Sequence, residues 1–147
     1  MPGLLPNVDP DGLLEYSVVY TDRALNHMSE SFQHVMNDIS RQLKNVYNAA
    51  GVVVVPGSGT FGMEAVARQF ATGKPALVVR NGWFSYRWSQ IFEVGNIPDS
   101  ETVLKASRIT EGHQAPFAPV PIDELVSTIK AERPEVVFAP HVETSAG

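Results

Sequence analysis

The sequence has no cysteine among its 147 residues and no apolar run long enough to cross a membrane. The absence of cysteine excludes disulfides, thiolate metal sites and a cysteine nucleophile within this stretch, and it is typical of a cytoplasmic protein. The first residues, Met1-Pro2-Gly3, also lack the basic and apolar regions of a secretory signal peptide. We therefore expect a cytoplasmic protein that has no membrane partner.

Positive charge is scarce, since 11 Lys and Arg stand against 16 Asp and Glu, for a formal net charge of −5. A nucleic-acid interface needs clustered Lys and Arg, so we expect no nucleic-acid partner. The spacing of His, Asp and Glu does not match a metal site either. A small anion held by backbone groups remains compatible with this charge balance.

Hydrophobic periodicity indicates an α/β domain after a short N-terminal arm. Residues 1–28 are predicted to form the arm, because the chain opens with closely spaced Pro, Gly and Asp, and residues 29–147 the domain. An amphipathic helix is predicted over 29–48, with Ser29 as its N-cap. Buried strands at 52–55, 76–79, 102–104 and 136–139 then alternate with helices at 63–72, 83–94 and 121–131. This order predicts a doubly wound parallel sheet, whose ligand crevice lies beyond the carboxyl ends of the strands.

A glycine-rich turn follows the first predicted strand and precedes a predicted helix. After the four valines at 52–55 and Pro56, the chain continues Gly57-Ser58-Gly59-Thr60. Unpaired N–H groups at a helix N-terminus converge on one spot, where the helix dipole favours negative charge. We therefore predict that Ser58, Gly59 and Thr60 surround a phosphate, although a tight turn whose glycines serve only close packing is the alternative.

Known phosphate-binding motifs fit this turn only in part. The glycines at 57, 59 and 62 match G-x-G-x-x-G, but the next strand ends Arg80-Asn81-Gly82 and lacks the acid that binds a ribose. Arg80 would be compatible only with NADP. A Walker A motif is excluded, because no Gly-Lys-Ser/Thr closes the loop.

The segment after the second predicted strand is rich in aromatic residues. Four aromatics and an arginine lie within 81–88, at the mouth of the same crevice. Trp88 is spaced i, i+4 from Phe92 and is expected in the core, whereas Trp83 and Phe84 precede the periodic stretch. Aromatic side chains beside a phosphate site indicate a flat ring on which they could stack.

Taken together, these segments resemble class V pyridoxal-phosphate aminotransferases, and within them the alanine–glyoxylate and serine–pyruvate branch. The resemblance covers the chain from about Leu25 to its last residue. The segments that carry it, in family order, are Gly57-Ser58-Gly59-Thr60, Met63-Glu64-Ala65, Asn81-Gly82-Trp83-Phe84-Ser85-Tyr86-Arg87-Trp88 and His141-Val142-Glu143-Thr144-Ser145-Ala146-Gly147.

The resemblance implies a site for pyridoxal phosphate. Carried over by position, Ser58, Gly59 and Thr60 would bind the phosphate, Phe84 would stack on the pyridine ring, and Thr144 would lie near the ring hydroxyl. The family's Schiff-base lysine falls beyond Gly147, so no catalytic residue is assigned to this chain. The lysines present, none at the family position, are Lys44, Lys74, Lys105 and Lys130.

The resemblance further implies the N-terminal part of a fold type I large domain, a truncated three-layer α/β/α unit with a mostly parallel sheet. The expected reaction moves an amino group between a small amino acid and a 2-oxo acid, with the intact protein a homodimer. We expect no transaminase activity from this chain alone. A cysteine desulfurase or lyase of the same superfamily remains an alternative, although these usually have a histidine where Phe84 stands. The second alternative is a non-catalytic α/β domain that binds phosphate or NADP.

Overall fold

The computed structural model describes His27 and residues 30–144, which divide into two compact units between Val54 and Val55. The first unit contains helix α1, Glu30–Tyr47. This confirms the predicted amphipathic helix, while Ser29 and all of the predicted arm except His27 lie outside the described residues. No helix of the described part is both long and apolar enough to cross a membrane.

The second unit is built around a short parallel sheet. Its helices are α2 (Gly59–Ala71), α3 (Trp83–Gly95) and α4 (Ile122–Glu132), and its strands are β1 (Pro75–Arg80), β2 (Ser100–Lys105), β3 (Ser107–Arg108), β4 (Phe117–Ala118) and β5 (Val136–Phe138). The strand order is β2-β1-β5, and both pairings with β1 are parallel. The strands β3 and β4 form a separate antiparallel pair that the sequence pattern did not predict.

Two hydrophobic clusters cover opposite faces of the sheet. On one face, Val78 and Phe138 pack with α2 and α3 side chains such as Ala67 and Phe92. On the other, Leu77 and Val79 pack with Leu125 and Ile129 of α4. Alternate residues of a strand point to opposite faces, so the buried run in β1 supplies both clusters. The unit is therefore an α/β domain with a parallel three-stranded sheet between helix layers.

Trp88 occupies the core position expected for it. Its ring centroid lies 4.5 Å from that of Phe138 and 6.4 Å from that of Phe92. The second, third and fourth predicted strands are present as β1, β2 and β5, and the predicted helices at 83–94 and 121–131 are present as α3 and α4.

The prediction of a buried strand at 52–55 is wrong. This segment has no strand geometry, and Val53 is 86% exposed. A strand needs a hydrogen-bonding neighbour, and no strand of the described chain pairs with this segment. Four β-branched residues raise the propensity for extended structure, but pairing depends on distant residues. The following helix also begins at Gly59, four positions before the predicted start at Met63.

Candidate functional site

The first turn of α2 leaves backbone donors open. Ser58 is the N-cap residue in an extended conformation, and its carbonyl accepts from the N–H groups of Phe61 and Gly62 at 2.9 and 3.4 Å. Within the described part of the chain, nothing accepts from the N–H groups of Gly59 and Thr60. These are the first two N–H groups of a helix, where the dipole favours an anion.

Gly57 allows the chain to enter this helix. Its φ of +140° is a conformation that side chains strongly disfavour, and a Cβ there would lie 2.7 Å from Cδ2 of Phe61. A Cβ at Gly59, in contrast, would meet nothing within 4 Å. A side chain at position 59 would therefore meet no neighbour among the described residues.

A cation lies beside the same turn. Nη1 of Arg87, on α3, donates to Oγ1 of Thr60 at 3.2 Å, while Nε of Arg87 is buried and has no partner within the described residues. An open groove of about 330 Å³ separates these parts of α2 and α3, and its lining residues are Thr60, Glu64, Arg68, Arg87, Gln90, Ile91, Val94 and Gly95. The start of α2 thus combines two N–H groups that lack an acceptor among the described residues with a neighbouring guanidinium.

The first turn of α3 is closed by a carboxylate from far along the chain. Oε1 and Oε2 of Glu143 accept from the N–H groups of Phe84 and Ser85, each at 3.0 Å, and the Ser85 hydroxyl donates to Oε2 at 2.7 Å. We call these three hydrogen bonds the Glu143 cap. Glu143 is 5% exposed and Ser85 is fully buried, whereas Phe84 keeps 45% of its surface exposed.

The carboxyl ends of the three parallel strands converge, as the sequence predicts. Asn81, Ala106 and Pro140 follow β1, β2 and β5, and all three line one cavity of about 140 Å³ together with Phe117, Pro119, His141 and Glu143. Oδ1 of Asn81 is buried there and has no partner in the described part of the chain. The loops after the strands therefore gather at one edge of the sheet.

Two of the predicted site residues are linked to other elements by separate hydrogen bonds that involve α3. Phe84 is bonded to Glu143, the residue before Thr144, and Thr60 is bonded to Arg87. The first contact uses the backbone N–H of Phe84 and the second uses the side chain of Arg87, and the residues Thr60 and Glu143 line two different cavities. Ser58, Gly59 and Thr144 are exposed, and a cofactor role for the five residues stays a prediction.

Arg80, which an NADP site would need, is engaged with α3. Its guanidinium carbon lies 4.9 Å from the ring centroid of Tyr86, and its Nη1 donates to Oγ of Ser89 at 3.4 Å. The described residues contain no group of His, Asp and Glu that could hold a metal ion.

Glu143 is the main feature that the sequence analysis missed. The spacing could have indicated it, because the start of α3 has glycine at its N-cap and an acid follows the adjacent strand β5. A helix start without a capping side chain needs an acceptor from elsewhere. Comparison of the chain with protein-family models and with curated proteins finds no match.

Proposed function

We propose that this chain binds pyridoxal phosphate as part of a class V, fold type I aminotransferase. The observation that carries the proposal is the start of α2, where the N–H groups of Gly59 and Thr60 have no acceptor among the described residues and Arg87 lies beside Thr60. A phosphate accepts hydrogen bonds from such groups, and the helix dipole and the guanidinium both favour its charge.

The residues of the site fit this cofactor. Gly59 is exposed and a Cβ there would meet nothing within 4 Å, and the buried Nε of Arg87 is a donor without an acceptor in the described chain. Phe84 offers a partly exposed ring at the adjacent helix start, and Thr144 follows the residue that caps that helix. Phe84 would stack on the pyridine ring while Thr60 and Gly59 hold the phosphate.

The proposal assigns this chain the binding and orientation of the cofactor and no covalent step. When bound, pyridoxal phosphate supplies an electron sink for carbanion chemistry at the substrate. The substrates would be a small amino acid and a 2-oxo acid, and the proposed protein would be a cytoplasmic homodimer.

Ligand discrimination in the 147-residue chain tests the proposal. Pyridoxine phosphate is the suitable probe, because it has the ring and phosphate but no aldehyde to react with lysines. We expect calorimetry to show tighter binding of pyridoxine phosphate than of pyridoxine, inorganic phosphate or NADP. Absent binding would contradict the proposal, and equal affinity for pyridoxine phosphate and inorganic phosphate would leave only a phosphate-binding domain.

Thr60→Val and its matched control locate the ligand. Thr60→Val removes a hydroxyl at the start of α2, and Thr72→Val removes a hydroxyl that donates to the Arg68 carbonyl at the other end of the helix. We expect Thr60→Val to weaken the binding of pyridoxine phosphate about tenfold, as for the loss of one hydrogen bond to a charged group. Thr72→Val should leave this affinity unchanged. Equal effects of the two variants would place the ligand elsewhere.

A further inference from the structure

The start of α3 lacks the usual means of capping. Its N-cap residue is Gly82, which has no side chain to accept from the N–H groups that follow. The first intrahelical bond of this turn runs from the N–H of Tyr86 to the carbonyl of Gly82 at 3.0 Å. The N–H groups of Phe84 and Ser85 therefore depend on an acceptor from outside the helix.

Glu143 supplies that acceptor from 58 and 59 positions along the chain. Both of its oxygens are used, one for each N–H group, so the carboxylate is fixed in position and in orientation. A carboxylate that is 5% exposed needs hydrogen-bond donors such as these to offset its lost hydration. Its charge also lies where the dipole of α3 favours an anion.

The Ser85 hydroxyl completes the arrangement. It accepts from the N–H groups of Asn81 and Gly82, each at 2.9 Å, and it donates to Oε2 of Glu143 at 2.7 Å. A hydroxyl has one proton and two acceptor sites, and although the Gly82 carbonyl lies within reach of the proton at 3.0 Å, the shorter contact to the charged carboxylate is the stronger one. The turn after β1, the start of α3 and the loop after β5 thus share one buried network.

We infer that Glu143 is a positioning residue, whose cap sets the placement of Phe84 relative to Thr144. The N–H of Phe84 is bonded to the carboxylate, and Thr144 is the next residue after Glu143. Without the cap, the helix start and the loop after β5 would lose this direct link. The consequence for ring binding rests on the proposed function, whereas the cap itself does not.

Amide hydrogen exchange of the 147-residue chain tests the cap directly. In Glu143→Gln, the side-chain NH₂ replaces one oxygen and faces a donor instead of accepting from it. We expect exchange at the N–H of Phe84 and Ser85 to accelerate about tenfold or more, as for loss of one charge-assisted bond, while the middle of α3 is unaffected. The matched control is Glu93→Gln, at an exposed position of the same helix. Unchanged exchange at both amides would overturn the inference.

A comparison of two ligands separates positioning from a merely structural role. The ring contacts would depend on the cap, whereas the phosphate contacts at Gly59 and Thr60 belong to another helix. We expect Glu143→Gln to weaken the binding of pyridoxine phosphate about tenfold, on the scale of one lost stacking or hydrogen-bonding contact. The affinity for inorganic phosphate should be unchanged. If the affinities for both ligands fall equally, or if neither affinity falls, Glu143 is not a positioning residue.

Ser85→Ala keeps the inference falsifiable if Glu143→Gln fails to fold. This variant removes the hydroxyl but retains the carboxylate. We therefore expect it to weaken the binding of pyridoxine phosphate less than Glu143→Gln does, and to leave the affinity for inorganic phosphate unchanged. Unchanged binding of both ligands in Ser85→Ala would then count against positioning. If the unaltered chain binds neither ligand, the proposed function fails and the positioning role fails with it. Amide exchange would still show whether Glu143 caps the N–H groups of Phe84 and Ser85.

Discussion

The helices α2 and α3 both begin with backbone N–H groups that need a hydrogen-bond acceptor, but among the described residues only those of α3 have one from a side chain of the fold. At α3, a buried carboxylate accepts from the N–H groups of Phe84 and Ser85. At α2, the N–H groups of Gly59 and Thr60 have no acceptor within the described residues, and Ser58 makes no side-chain cap. Both helices are 13 residues long, so their dipoles are alike.

The difference is between a helix start whose N–H donors are used within the fold and one whose N–H donors have no acceptor among the described residues. Where the chain itself provides the anion, as Glu143 does, the donors are used in the fold. Where the donors have no acceptor in the described chain and lie beside Arg87, we propose that an external anion takes the same place. A glycine-rich turn before a helix therefore predicts a ligand only if no side chain of the fold already occupies the donors.

The largest effect is expected from removal of the carboxylate at α3. Glu143→Ala would leave buried N–H and hydroxyl groups without an acceptor and should lower the free energy of unfolding by about 3 kcal/mol. Urea denaturation monitored by circular dichroism measures this loss. Glu93→Ala, an exposed position of the same helix, should change the free energy of unfolding by less than about 0.5 kcal/mol. A similar small change for Glu143→Ala would remove the contrast between the two helix starts.

A smaller effect is expected at the backbone that leads into α2. Gly57→Ala places a Cβ at a φ of +140°, where it also meets the Phe61 ring at 2.7 Å. Because the exposed ring can move aside, strain dominates, and we expect the free energy of unfolding to fall by about 1–2 kcal/mol. Gly59→Ala has open space and should be neutral or slightly stabilising in the same urea experiment. If the two alanines behave alike, the conformation assigned to Gly57 is wrong.

The smallest effect is expected at the N-cap of α2. Loss of a capping serine typically lowers the free energy of unfolding by about 1 kcal/mol. Since the Ser58 side chain makes no cap hydrogen bond, Ser58→Ala should lower it by less than about 0.5 kcal/mol. Thermal and urea unfolding of the variant and the unaltered chain measure the difference. A loss near 1 kcal/mol would indicate that Ser58 caps α2 in solution, and the two helix starts would then be more alike than described.

Local sequence patterns were sufficient to predict most strands of the sheet and the helices that pack on it. The apolar run in β1 and the periodicity of α3 and α4 predicted these elements nearly to their bounds. The run at 52–55 carried an equally strong local pattern and has no strand geometry, because pairing needs a neighbouring strand that no local pattern specifies.

The sequence by itself determined that a glycine-rich turn at 57–60 leads into a helix, and that Phe84 lies in the first turn of the next helix. Propensity and turn chemistry act over a few residues, so these features are encoded locally. Only the tertiary structure decided which helix start has its N–H groups bonded within the fold, since Glu143 accepts from Phe84 and Ser85 across 59 and 58 positions of chain. Such a contact depends on how parallel strands bring distant loops to one edge of the sheet, and the strand order sets that arrangement.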